Sequence, residues 1–221
     1  TGYRAFFYKL YEEIGQNKLE GNKSYFTIHS YGFGYYNKWI NLQICKGSES
    51  WGAGENIELA LSNNSKPYDY LTIASNYGNL RVKYIHGFLE STSSDINRFI
   101  TARGVEWSNK ESFILGLSET VIYSGLNRSL DIAYVNPISS HLEIELNDRL
   151  NIIGSSSSNA VWQAHLDALI KKKYRLSINF LLDEFVIDPD IEIGKEHGRA
   201  ISLRISNKLL NLQKKLLTIY G

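Results

Sequence analysis

The chain alternates apolar and polar residues most clearly along Tyr174-Arg175-Leu176-Ser177-Ile178-Asn179-Phe180. Successive side chains of a β-strand point to opposite faces, so this run has one apolar face and one polar face. The same period of two recurs at residues 80–84, 130–134, 142–146, 160–168 and 201–205. This repeated pattern predicts an all-β protein built from antiparallel strands.

Segments rich in Gly, Asn, Ser and Pro separate these runs, as at residues 62–67, 77–79, 125–127 and 154–159. Closely spaced strands joined by such turns are typical of a β-sandwich or a β-barrel. We expect roughly eleven to thirteen strands at ordinary strand and turn lengths. Two segments could be helical instead, residues 3–14 and the Lys-rich residues 206–217. No repeat or linker divides the chain, which predicts a single domain over residues 1–221.

The alternation does not tell which face of the strands is covered. In a soluble sandwich the apolar faces pack together, whereas in a transmembrane barrel they contact lipid and the polar faces line the lumen. The runs at 112–123 and 174–187 reach the roughly 9–11 residues of a spanning strand, and Tyr, Trp and Phe collect near strand ends. We therefore predict an antiparallel transmembrane β-barrel, with a soluble β-sandwich as the open alternative.

Composition excludes several classes of protein and site. A net charge of +1 over 221 residues gives no sign of a nucleic-acid partner. The single cysteine, Cys45, excludes an internal disulfide and a Cys-based zinc site, and the five His are not spaced as metal ligands, so we predict no metal and no cofactor. The chain contains no Met, from which we expect a processed chain or part of a longer one.

A glycine-rich junction follows one of the alternating strands at Trp51-Gly52-Ala53-Gly54. Its Gly-x-Gly spacing could suggest a phosphate-binding loop, but no Lys-Ser or Lys-Thr pair follows the glycines. The junction instead predicts a tight turn in which glycines adopt positive φ angles and Trp51 fills a gap.

Several short motifs occur in order between residues 40 and 187. They are Ile40-Asn41-Leu42-Gln43-Ile44, Trp51-Gly52-Ala53-Gly54, Leu61-Ser62-Asn63-Asn64, Arg98-Phe99-Ile100-Thr101-Ala102-Arg103, Tyr134-Val135-Asn136-Pro137 and Leu181-Leu182-Asp183-Glu184-Phe185. In this order they resemble the Wzi-type capsule-assembly family of bacterial outer-membrane β-barrels and the related RemB-type gliding-motility proteins. That barrel has about eighteen strands, so the resemblance implies that this chain is part of a larger barrel.

The resemblance implies a set of motif residues with structural or lumen-facing roles. They are Trp51, Gly52, Gly54, Leu61, Ser62, Asn63, Asn64, Arg103, Pro137, Asp183 and Glu184. Asp183 and Glu184 are adjacent and point to opposite faces of a strand, so they cannot form a catalytic pair. We expect one of them to form a lumen ion pair with Arg81, Arg103 or Arg175, and we predict no catalytic residue.

The resemblance further implies a location in the bacterial outer membrane and a non-catalytic role in attaching or assembling capsule or another surface polysaccharide. The expected partners are the lipid bilayer, surface polysaccharide and other outer-membrane proteins, without nucleic acid. Four aromatic residues could stack on sugar rings or belong to an interfacial belt: Trp39, Tyr68, Tyr70 and Trp107. Two alternatives stay open, a gliding-motility or adhesin-associated barrel, and a soluble β-sandwich domain that binds or cleaves glycans.

Overall fold

The structure, a computed structural model, describes residues 17–20, 23–26, 31–89, 91, 95–146, 158–183, 198–212 and 215–220. It confirms an all-β antiparallel fold with two short helices. Two strands form a hairpin, β1 (Asn17–Glu20) and β2 (Lys23–Phe26). The other ten form one sheet: β3 (Tyr31–Tyr36), β4 (Ile40–Gly47), β5 (Tyr68–Tyr77), β6 (Leu80–Phe88), β7 (Ile96–Ser108), β8 (Phe113–Leu126), β9 (Ser158–Ile170), β10 (Tyr174–Asp183), β11 (Gly198–Leu212) and β12 (Lys215–Tyr220).

The large sheet is a meander, because each strand pairs antiparallel with the strand next to it in sequence. Its edges are β3 and β12, which do not pair with each other among the described residues. The central strands are long, with 13 residues in β7, 14 in β8 and 13 in β9. Among the described residues the ten-stranded sheet is therefore open, which is compatible with the wall of a barrel or with one layer of a sandwich.

The connections differ in length at the two ends of the sheet. At one end the strands are joined by the short segments 37–39, 78–79, 109–112, 171–173 and 213–214. At the other end consecutive strands are separated by longer stretches of sequence, 48–67, 89–95, 127–157 and 184–197, of which 90, 92–94, 147–157 and 184–197 are outside the described residues. We call these the short-turn end and the long-connection end.

The two faces of the sheet differ sharply in polarity. One face, the polar face, carries Gln163 and His165 from β9 and Ser177 and Asn179 from β10, all of which are buried. The opposite face, the apolar face, carries Leu117 from β8, Phe180 from β10 and Leu203 and Ile205 from β11. These four side chains are exposed among the described residues, with Leu117 at 59%. Over β9 to β11 these buried side chains are thus polar and these exposed ones apolar, whereas on β8 Ile122 is exposed on the polar face and Tyr123 is buried on the apolar face.

Different segments cover the two faces. Residues 48–67 between β4 and β5, which we call the covering loop, lie on the polar face and bury Trp51 and Leu61 against Ile85 and Ala102. The segment 128–146 between β8 and β9, the helical cap, covers part of the apolar face at the long-connection end. Its Tyr134 packs with residues of three strands, which are Phe99, Val121, Tyr123 and Ala160.

The helical cap corrects two strand predictions. Residues 130–134 and 142–146 alternate in sequence, but the structure has helices α1 (Ile132–Val135) and α2 (His141–Leu146) there. Asp131 begins α1, since its carboxylate accepts the N–H of Ala133 at 3.0 Å. Ser140 precedes α2 and its hydroxyl accepts the N–H of Glu143 at 3.1 Å. Such side-chain caps provide hydrogen-bond acceptors for the free N–H groups at the start of a helix. A strand paired within a sheet has no such need.

The C-terminal helical alternative at 206–217 is also wrong, because β11 runs to Leu212 and β12 begins at Lys215. The other segment considered helical, residues 3–14, lies outside the described residues. The expected strand 174–187 is described as far as Asp183, where β10 ends.

Neither α1 nor α2 has the length and apolar character that a membrane-spanning helix needs, and the described residues contain no other helix that does.

Candidate functional site

The covering loop and the polar face beneath it form the most elaborate side-chain arrangement of the described chain. The loop has little regular structure of its own, with one isolated bridge in which the N–H of Trp51 donates to the carbonyl of Leu61 at 3.0 Å. A buried irregular segment needs hydrogen-bond partners for its backbone, because unpaired N–H and C=O groups are costly away from water. The sheet provides these partners through side chains.

Asn179 pairs with the loop as a neighbouring strand would. Its Oδ1 accepts the N–H of Ala53 at 2.7 Å and its Nδ2 donates to the carbonyl of Ala53 at 2.9 Å. The same amide group donates to Ser202 Oγ at 3.0 Å, and Ser202 in turn donates to the carbonyl of Ile57 at 2.6 Å. Asn179 is fully buried, so its amide is committed to holding the loop.

Gln163 performs the same task one strand away. Its Nε2 donates to the carbonyl of Trp51 at 2.9 Å. Its Oε1 accepts the N–H groups of Leu59 and Ala60 at 3.2 and 3.0 Å. Arg204 of β11 also binds the loop, since it donates to the carbonyl of Glu55 at 2.7 Å. Three neighbouring strands therefore fix the path of one loop.

The glycine junction lets the loop lie close to the sheet. Gly52 and Gly54 have φ angles of 145° and 81°, a region that side chains with a Cβ rarely adopt, as predicted for this turn. Trp51 is 4% exposed and fills the gap above Gly104 of β7. A Cβ added at Gly104 would lie 2.8 Å from Cζ2 of the Trp51 ring, so the tryptophan needs a glycine there.

Ion pairs surround this apolar contact on the polar face. Glu49 of the loop pairs with Lys83 Nζ at 2.5 Å and accepts the hydroxyl of Tyr70 at 2.9 Å. Glu106 lies 2.5 Å from Arg81 Nη2 and 3.2 Å from His165 Nε2. A third pair joins two strands through Arg175 Nε and Asp167 Oδ1 at 2.8 Å. These contacts combine charges of opposite sign, so the polar face is neutralised pair by pair rather than strongly charged.

Arg103 lies on the other face of the sheet, beneath the helical cap. Its Nε is 3.0 Å from Oε2 of Glu119, and its Nη1 donates to the carbonyl of Asn136 at 3.0 Å. The second oxygen of Glu119 accepts the N–H of His141 at 3.0 Å. This buried pair joins the cap to the sheet, on the face opposite to Arg81 and Arg175.

The structure gives Asp183 a different setting from the one expected. The three arginines proposed as its partners pair with other carboxylates: Arg81 with Glu106, Arg103 with Glu119 and Arg175 with Asp167. Asp183 itself ends β10 on the polar face, opposite Gly198. Glu184 lies outside the described residues.

The remaining motif residues are spread over the molecule. Leu61 is buried with Trp51, whereas Asn63 and Asn64 form an exposed turn in the covering loop. Ser62 Oγ accepts the N–H of Asn64 at 3.3 Å, which stabilises this turn. Pro137 is exposed in the helical cap between α1 and α2.

The four aromatic residues considered for sugar binding do not converge. Trp39 and Trp107 are exposed at the short-turn end, with 61% and 44% of their surface accessible. Tyr68 is buried at the opposite end, and Tyr70 is half-buried and bound to Glu49. Only Tyr68 and Tyr70 have their rings close together, at 5.4 Å, whereas Trp39 and Trp107 are separated by the strands β5 and β6.

The residues that hold the loop, Gln163, Asn179 and Ser202, are not among the predicted site residues. Their polarity is visible in the alternating runs, but the identity of their partner is not. Their contacts with the loop span more than one hundred residues of sequence, and no local pattern encodes such a pairing.

The hydrogen bonds of Gln163, Asn179 and Ser202 hold the covering loop in place. The described residues contain no group of three or more His, Cys, Asp or Glu placed to hold a metal ion. Comparison of the chain with models of protein families, with curated proteins and with solved structures finds no match. The likeness to Wzi-type barrels stays a prediction from the motifs of the sequence.

Proposed function

We propose that this chain forms part of the wall of a bacterial outer-membrane β-barrel, with its apolar face in lipid and its polar face toward the barrel interior. The observation that carries the proposal is the inverted polarity of the sheet. Asn179 and Gln163 are buried, while Leu117, Leu203 and Ile205 are open to the surroundings. Burying one such aliphatic side chain away from water contributes roughly 1.5–3 kcal/mol, and lipid provides this for the part of the face that the helical cap leaves open.

The unequal connections support the same proposal. Outer-membrane barrels have short turns at the periplasmic end and longer loops at the extracellular end. The chain has segments of two to four residues at its short-turn end and segments of up to thirty-one residues, 127–157, at the other. In this orientation the covering loop enters the barrel from outside and closes the space over the polar face.

Aromatic side chains near the strand ends add further support. Tyr35, Tyr77, Trp107 and Tyr174 are exposed near the short-turn end of their strands. Aromatic residues collect at the membrane–water boundary, where one end of the ring is apolar and the other is wet. We place the periplasmic boundary at this row.

A soluble sandwich is the alternative that the open sheet leaves available. It requires a second layer over the apolar face, and within the described residues only the helical cap lies there. A soluble sandwich would bind or cleave glycans, and it would be released from cells without detergent.

Within the barrel, we propose a non-catalytic role in attaching or assembling surface polysaccharide. This part rests on the ordered motifs between residues 40 and 187 and on the long connections at the proposed extracellular end. The polar face contributes side-chain amides that hold a loop together with ion pairs, and it does not present a nucleophile with a base and an acid partner among the described residues.

Cell fractionation tests the membrane proposal. We expect the protein in the outer-membrane fraction, resistant to extraction by urea, and with a gel mobility that changes on heating. Release into the soluble fraction without detergent would exclude the barrel.

A deletion strain tests the role on the cell surface. Loss of attached capsule, restored by the intact gene, is the expected result. Normal capsule with defective surface spreading would instead support the motility alternative.

A further inference from the structure

A groove in the apolar face lies beside the helical cap and has a volume of about 440 Å³. Its walls are Leu117 of β8, Trp162 of β9 and Phe180 and Leu182 of β10, and Ala164 lies on its floor. This volume is within the roughly 300–1,000 Å³ of small-molecule sites. The groove is continuous with the exposed apolar face, because Leu117 and Phe180 belong to both.

The groove follows from one small residue in a row of large ones. Leu117, Ala164 and Phe180 are register partners on three adjacent strands, so their side chains stand side by side on the same face. The methyl group of Ala164 leaves a gap between two larger neighbours. A gap of this shape, open along a lipid-facing surface, has the dimensions and the chemistry of a site for a hydrocarbon chain.

The polar end of the groove is already neutralised. Arg103 and Glu119 line it, but they pair with each other and with the backbone of Asn136 and His141. A sugar would need hydrogen-bond donors and acceptors along its whole length, and the groove offers them mainly at this one end, where Nη2 of Arg103 has no hydrogen-bond partner among the described residues. The groove therefore favours an apolar occupant over a carbohydrate.

An exposed cation lies on the strand next to Leu182, one of the residues that line the groove. Arg199 of β11 is the register partner of Leu182 and shares its face. It is exposed and makes no ion pair with another described residue. A guanidinium group next to an apolar groove is complementary to an amphiphile with an anionic phosphate head and a hydrocarbon tail.

We propose that this groove binds one acyl chain of an anionic, phosphate-bearing membrane lipid, with a phosphate of its head group at Arg199. The proposal rests on the proposed membrane location, since the lipid reaches the groove from the surrounding bilayer. It adds to that function a lipid-specific site next to the long-connection end of the sheet.

Quenching of tryptophan fluorescence by brominated lipids tests the proposal with the full chain in phosphatidylcholine vesicles. The double variant Trp39→Phe/Trp107→Phe retains Trp162, which lines the groove, and Trp51, which is buried on the polar face. The double variant Trp39→Phe/Trp162→Phe retains Trp107 on the apolar face in place of Trp162. Each is measured with a small, equal fraction of brominated phosphatidylglycerol or brominated phosphatidylcholine.

We expect both brominated lipids to quench Trp107 equally. Trp162 should be quenched by brominated phosphatidylglycerol at about fivefold lower mole fraction than by brominated phosphatidylcholine, because one basic residue attracts an anionic lipid by about that factor. Arg199→Gln should remove this selectivity. The matched variant Arg98→Gln removes an exposed arginine from the opposite face and should retain it.

Equal quenching of Trp162 by the two lipids, or selectivity that survives Arg199→Gln, would overturn the lipid site while a quenched Trp107 still supports the membrane wall. Shielding of Trp162 by a soluble oligosaccharide would also overturn it, in favour of a sugar site. If Trp107 is not quenched by either lipid, the membrane location and the lipid site are both wrong.

Discussion

At the scale of single residues, side-chain amides replace a missing strand. Asn179 and Gln163 give the covering loop the donors and acceptors that a regular ladder would otherwise supply. An amide can do this because it carries both a donor and an acceptor, whereas a carboxylate or an ammonium group carries only one kind. The polar face thus anchors the loop without a continuous backbone pairing.

Replacing Asn179 by Ala should lower the free energy of unfolding by about 1–3 kcal/mol, because the N–H and C=O of Ala53 lose their buried partner. Denaturant unfolding of the full chain measures this change. Asn76→Ala is the matched control, since Asn76 is exposed on the same face and should change stability by no more than about 0.5 kcal/mol. Equal effects of the two substitutions would contradict the anchoring role of Asn179.

Trp51 is the apolar counterpart of this anchor. We expect Trp51→Ala to cost about 3–5 kcal/mol, since it empties the space above Gly104 that the ring fills. Trp39→Ala, at an exposed turn, should have little effect in the same unfolding measurement. A small cost at Trp51 would mean that the covering loop contributes little to the stability of the sheet.

At the scale of elements, strand and helix patterns are ambiguous over short segments. Residues 142–146 alternate as a strand would, and in the helix that forms instead Leu142 and Ile144 lie on different sides. The decisive signal is the Ser140-His141-Leu142-Glu143 sequence, which matches the Ser-x-x-Glu pattern of a helix start. The spacing of apolar residues does not reveal α2, because a helix of six residues is too short to show a 3.6-residue period.

The cap of α2 can be tested directly. Ser140→Ala should destabilise the helical cap by about 1 kcal/mol, because the N–H of Glu143 loses its acceptor. Hydrogen exchange at the amide of Glu143 should accelerate accordingly. Ser65→Ala in the exposed part of the covering loop should leave that exchange rate unchanged. Unchanged exchange in Ser140→Ala would show that packing of the cap, rather than its hydrogen-bonded start, holds the helix.

At the scale of the whole molecule, the strands and their antiparallel order follow from the period-two pattern, and so does the division of the sheet into two faces. The carboxylate partners of Arg81, Arg103 and Arg175 and the anchors of the covering loop do not, since they depend on contacts between residues apart in sequence. Which face is covered is equally invisible in the alternation. It emerges once the loop from β4 to β5 is seen to lie on Gln163 and Asn179.

The central claim is that the apolar face contacts lipid, and a charged substitution on that face tests it most directly. Leu203 lies in β11, 55% exposed, while Ile138 is 88% exposed in the helical cap and serves as the control. For the full chain folded in lipid vesicles, we predict that Leu203→Arg lowers the free energy of unfolding by roughly 2–4 kcal/mol, the cost of an arginine on the lipid face of a barrel. Ile138→Arg should change it by no more than about 0.5 kcal/mol. If Leu203→Arg costs no more than Ile138→Arg, the apolar face is in water and the membrane account is wrong.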